Sequence, residues 1–169
     1  MIEAFHSNWT APFLRANPNK NYYIDDFEIL TTIISALKWR ENNGSIKMIT
    51  DDIAADYYKK LGIDTIWDLG IDVSLNKINN DIDSNIFWAA GKIYALKGQK
   101  SPCVMIDTDF IVWDNIENLL LQSEISVIHK EKIISSVYPN KDYFNMNNNY
   151  LFDIEYKNKN ITFSYDNKF

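Results

Sequence analysis

Two aspartates separated by one residue, Asp107 and Asp109, follow an apolar run of Cys103, Val104, Met105 and Ile106 in the segment SPCVMIDTDFIVWDNI. In an extended segment alternate side chains point the same way at a rise of about 3.3 Å per residue, which sets the two carboxylates roughly 7 Å apart on one face. A half-buried pair of like charges is costly unless it shares a proton or binds a cation. Hard divalent ions such as Mn2+ or Mg2+ favour oxygen ligands of this kind. The plainer alternative is that one carboxylate caps the following turn while the other faces water. Asp51 and Asp52 also follow an apolar stretch, as do His6, Ser7 and Asn8, so several polar groups are candidates to gather near the pair.

The elements that must position these residues alternate between two periods. IEAF opens as a short strand, and DDFEILTTIISALKWRENNG repeats Phe27, Leu30, Ile33, Ile34 and Leu37 at helical spacing. Asp25 caps that helix with Glu28 three residues on, and Gly44 follows as a stop. SIKMIT reads as a strand. DDIAADYYKKLG reads as a helix with Ile53, Tyr57 and Leu61 on one face and Gly62 at its end. DTIWDL supplies a further strand, and SNIFWAAGKIYALKG a helix capped by Ser84 that buries Ile86, Phe87, Ala90, Ile93 and Tyr94. The run CVMID comes next, then a short helix over residues 115–121 and a strand ISVIH. This alternation predicts an α/β fold: a mainly parallel, doubly wound, Rossmann-like sheet with helices on both faces. Ligands of such sheets collect at the carboxyl ends of the strands, beside a switch in strand order.

Two segments depart from that plan. Residues 7–24 are too long for an ordinary connection, and Trp9, Phe13, Tyr22 and Tyr23 favour an ordered loop lying over something. Near the end, Phe152, Ile154 and Tyr156 alternate and face Ile161, Phe163 and Tyr165 across a turn, which predicts a C-terminal β-hairpin after an asparagine-rich loop.

Composition narrows the classes. A chain of 169 residues, 46% hydrophobic, suits a single domain over 1–169 with one core. Its formal charge of -6, from 17 basic and 23 acidic residues, gives no electrostatic footprint for nucleic acid. One cysteine, Cys103, forms no internal disulfide and suggests a reducing compartment. The first residues lack the pattern of a signal peptide, and no stretch reaches the ~20 apolar residues of a membrane span. The expectation is a cytoplasmic protein without an integral membrane segment, with peripheral association left open. Five glycines supply no phosphate-cradling loop, which disfavours dinucleotide-binding and P-loop proteins.

An apolar strand ending in DxD suits more than one chemistry. In haloacid-dehalogenase-like phosphatases the first Asp is the nucleophile and the second a general acid. That pattern continues with Thr or Val two places beyond the second Asp and opens its fold, whereas here the residue is Ile111 and most of the chain comes first. The second chemistry uses the carboxylates to hold a metal on the diphosphate of a nucleotide sugar.

On that pattern, PCVMIDTDFIVWDNI resembles the hydrophobic strand, DxD and following W/L-x-x-I/L element of GT-A fold glycosyltransferases, family-8-like and related bacterial enzymes, and the preceding FWAAGKIYALKGQKSP adds to the likeness. The resemblance covers roughly residues 1 to 130 and implies a nucleotide-sugar-dependent transferase, with a place in surface-polysaccharide synthesis. It assigns Asp107 and Asp109 to Mn2+ or Mg2+, Thr108 to the neighbourhood of the ribose, and Lys92 to a phosphate. His6, Ser7 and Asn8 fall where the first strand's exit meets the nucleotide, Trp9 where an aromatic face stacks on a base, and Asp51 at a base or ribose contact. The implied partners are a nucleoside-diphosphate-sugar donor and a glycan or other acceptor. Complete enzymes of this kind continue into an acceptor-binding half that commonly adds a metal ligand, so the likeness reads this chain as shortened before it, or as naturally minimal. The rivals are a donor-binding domain without turnover and the phosphatase. Residue by residue, Lys92 also suits a solvated lysine, Asp51 or Asp52 a helix cap, and His6 and His129 structural hydrogen bonding. Trp39, Trp67 and Trp88 suit packing.

Overall fold

The computed structural model describes residues 2–128. The expected hairpin, the asparagine-rich loop and His129 lie outside them. Two compact units divide between Glu117 and Asn118. The first holds four strands in one all-parallel sheet: β1 (Glu3–Asn8), β2 (Ile46–Thr50), β3 (Ile71–Asp72) and β4 (Cys103–Met105), in the order β3-β2-β1-β4. Helices α1 (Ala11–Ala16), α2 (Asp26–Asn42), α3 (Asp52–Leu61) and α4 (Ala90–Lys97) lie between the strands, and α5 (Glu117–Leu120) crosses into the second unit. Among the described residues no helix is long and apolar enough to cross a membrane.

Neighbouring side chains of β1 point to opposite faces. Phe5 packs with Ile49, Leu75, Ile78 and Ala95, which sets α4 against one face. His6 points the other way and bonds Ser35 of α2, which sets α2 against the other. The chain winds outward from β1 through β2 to β3, then crosses back to lay β4 on the free side of β1. The reversal opens a crevice at the carboxyl ends of β1 and β4, where ligands settle in sheets of this type.

Several expected elements form as read. Asp51 caps α3 by accepting from Ala54 N at 3.1 Å, and Gly62 ends it at φ 70, a left-handed conformation that glycine adopts without steric cost. Others differ. The helix α2 forms, yet its buried residues are Thr32, Ser35, Ala36 and Trp39, while Phe27 is 78% exposed and Leu30, Ile34 and Leu37 are exposed too. His6 in the sheet requires a polar partner, and small side chains let the helix approach, so the contact face is rotated from the apolar stripe. Asp25 precedes α2 without a side-chain capping bond.

The segment DTIWDL is not a strand. Asp64–Ile66 form a 3-10 turn whose carbonyls at Thr65 and Ile66 accept from Arg40, and Asp68 Oδ1 accepts from Ile46 N at 2.9 Å. Gly70, at φ 81, then turns the chain into β3. Ser84 caps no helix: it donates to Ala11 O, residues 84–89 form turns, and α4 starts only at Ala90. Residues 125–128, expected as a strand, are irregular.

Candidate functional site

β1 delivers a polar series whose members alternate between two destinations. His6 is fully buried on the α2 side. Ser35 gives its one proton to Phe110 O, so it accepts from His6 Nε2 at 3.0 Å, and His6 Nδ1 accepts from Trp67 Nε1 at 3.2 Å. Burial lowers the imidazole from 6.5 to about 4, a drop that the charge of Asp107 only partly opposes. His6 is therefore a neutral connector with both nitrogens committed. The nucleotide contact expected of it is replaced by a structural role: it ties β1 to α2 and to the turn after β4.

Ser7 points to the other face, where its hydroxyl is buried without a hydrogen-bond partner among the described residues. Asn8 spends both amide protons on Tyr22 and Tyr58, each at 2.6 Å. Burial raises both phenols well above the ordinary range, and they stay protonated. Asn8 thus organises an aromatic wall. Phe13 meets Tyr22 and Tyr23 edge to face with centroids 5.3 and 5.1 Å apart, and Tyr22 meets Tyr57 at 5.3 Å. The long early segment is ordered by these rings.

Trp9 packs so closely on α4 that a Cβ built on Gly91 would lie 2.5 Å from its own Cβ, which is why glycine stands there. Its indole rests on the Phe5–Ile49 core and lines two cavities. Asp51 is turned inward: besides capping α3, it accepts from Thr10 N and Thr10 Oγ1 at 2.8 and 2.9 Å. It lines the second cavity, of about 680 Å³, apart from Asp107. The expected base or ribose contact gives way to a bonded cap.

The two aspartates are not placed by strand alternation. β4 ends at Met105, and Asp107 to Phe110 form a turn closed by Phe110 N donating to Asp107 O at 3.0 Å. Both carboxylates, with Thr108 between them, still line one cavity of about 560 Å³, together with Ser7, Trp9 and Lys92. That volume falls in the range of small-molecule sites. From α4, Lys92 Nζ reaches Asp107 Oδ1 at 2.6 Å and lies 5.9 Å from the Trp88 ring centroid. Opposite stands Glu28, whose carboxyl is raised by burial first and then by the charges of Asp109 and Asp25. Its place in the sequence suggested only a capping partner; nothing local signals that it faces Asp109 across a cavity.

Among the described residues, no group of three or more His, Cys, Asp or Glu is placed to hold a metal. The donors present still fit one kind of ion. Magnesium-like cations are commonly held by one or two carboxylates with substrate phosphates and waters completing the shell. Asp107 and Asp109 supply two carboxylates, and Asp107 already attracts the Lys92 ammonium.

A family model described as a family of unknown function (DUF6734) matches residues 2–165. No curated protein and no solved structure matches the chain.

Proposed function

The chain belongs to that family of unknown function, and from its own crevice we propose that it is a cytoplasmic, metal-dependent glycosyltransferase of the GT-A kind that takes a nucleoside-diphosphate sugar as donor. The observation that carries this reading is the meeting of Lys92 with Asp107, beside Asp109, in an aromatic-walled cavity at the carboxyl ends of β1 and β4. Three formal negative charges (Glu28, Asp107, Asp109) and one positive (Lys92) line that cavity. A diphosphate is itself an anion, so it enters such a wall with a cation between. The same reading makes the four parallel strands the nucleotide-binding half of a doubly wound sheet.

In this scheme Asp107 and Asp109 hold Mn2+ or Mg2+, and Lys92 pairs with a phosphate. When bound, the ion neutralises charge on the departing diphosphate. Ser7, whose hydroxyl has no partner among the described residues, offers it to the ligand, and the indole of Trp9 or Trp88 stacks on its base or sugar. Glycan acceptors of surface polysaccharide are the second substrate class.

A thermal-shift panel of nucleoside diphosphates and their sugars, with and without Mn2+, tests the reading on the native chain and on the double variant Asp107→Ala, Asp109→Ala. Metal-dependent stabilisation confined to the native chain is the expected result; stabilisation that survives in the variant removes the proposal. Release of nucleoside diphosphate in the presence of an acceptor separates transfer from binding without turnover.

A further inference from the structure

The ion pair in the cavity has a bearing on how its ligands enter. Asp107 and Asp109 fall short of a complete protein-only metal site among the described residues, and Asp107 Oδ1 already carries the Lys92 ammonium at 2.6 Å. A divalent ion arriving alone meets too few ligands and a positive charge in its way. Arriving with a diphosphate, it brings phosphate oxygens for its own shell and a new anion for Lys92. Building on the function proposed above, we infer that Lys92 holds the place of the divalent cation in the free protein, so that metal and diphosphate load together rather than one after the other.

The surroundings of Lys92 suit an exchange of partners. Its side chain and that of Asp107 are 34% and 50% exposed, so the pair is weak enough to open. The Trp88 ring lies within cation–π reach of the same ammonium, a contact independent of Asp107. Meanwhile α4 is fixed by the close fit of Gly91 on Trp9, so the exchange requires only side-chain motion.

The test measures Mn2+ binding to the full chain by electron paramagnetic resonance, with MnCl2 alone and with MnCl2 plus inorganic pyrophosphate. Native protein is compared with Lys92→Met, which keeps an unbranched stem and removes only the charge, and with Asp107→Asn. Native protein is expected to bind Mn2+ weakly alone and at least about tenfold more tightly with pyrophosphate, the order of a coupling between 1 and 2 kcal/mol. Lys92→Met tightens binding of Mn2+ alone by up to about fivefold, the upper end for a half-exposed ion pair, and weakens the response to pyrophosphate. If Lys92→Met leaves both affinities unchanged, or weakens Mn2+ alone, the place-holding role is overturned while the metal site stands. If Asp107→Asn binds Mn2+ as the native chain does, or no form binds it under either condition, the proposed function falls and this inference with it. Replacing pyrophosphate with orthophosphate tells a diphosphate site from a general phosphate site: equal coupling with both overturns the diphosphate assignment.

Discussion

His6 and Ser7 are neighbours in one strand and stand in opposite kinds of surroundings. Behind the sheet His6 joins a closed series, Trp67 to His6 to Ser35 to Phe110, in which every polar atom of the imidazole has a partner. At the carboxyl edge of the sheet, Ser7 has none among the described residues, Glu28 faces like charges, and Asp107 has an ammonium shared with solvent. A closed polar network returns its desolvation cost as stability and specificity; an open one leaves that free energy to be recovered by a ligand. Residue type alone does not tell the two apart, because histidine is the commoner ligand and serine the commoner bystander. The state of satisfaction does.

The largest expected effect lies behind the sheet. His6→Ala leaves Trp67 Nε1 unpaired and opens a void in a fully buried position, costing about 3 kcal/mol in urea unfolding. A cost under about 1 kcal/mol would break the distinction between a closed network and an ordinary surface contact.

The same residue sets a pH window. Its folded value of about 4 lies below the unfolded 6.5, so on acidification the unfolded chain takes up a proton that the folded chain refuses. This contribution to stability is complete above pH 6.5 and falls by about 3 kcal/mol on the way to about pH 4. Urea midpoints compared between the native chain and His6→Gln across that window isolate it, and parallel curves would remove the assignment.

Next in size is Gly91→Ala. Its new methyl would sit 2.5 Å from Trp9 Cβ, an atom that cannot swing away, so a loss of about 1–3 kcal/mol is expected together with a changed near-ultraviolet dichroism of the tryptophans. The smallest effect is at the carboxyl edge of the sheet: Asp107→Asn shifts stability by no more than about 1 kcal/mol, the range of exposed ion pairs. A severe loss of stability there would show that the turn relies on the carboxylate, and that the network at this edge is closed as well.

Much of the scaffold was legible in the sequence because its signals are local. The cap at Asp51, the stop at Gly62 and the apolar runs of β1 and β2 are each set by a few adjacent residues. What escaped depends on partners distant in the chain. The buried face of α2 is chosen by His6, 29 residues away from Ser35, rather than by its own apolar stripe. DTIWDL is β-prone in composition, yet Arg40 and Ile46 take its polar groups and fold it into a turn. The placing of the acidic pair departs from the expectation: a turn, not strand alternation, presents it. Glu28 carries no motif, and its relevance exists only once α2 is laid beside the turn.

The manner in which that turn is anchored has a consequence for how such a site changes over time. Ser35 grips it through the main-chain oxygen of Phe110, and Phe110 N closes it on the main-chain oxygen of Asp107. Neither bond depends on the side chains at 107, 108 or 109. The loop is thus a socket whose fittings can be exchanged without loosening the socket, so a descendant or a designer is free to install a different chemistry there on the same foundation.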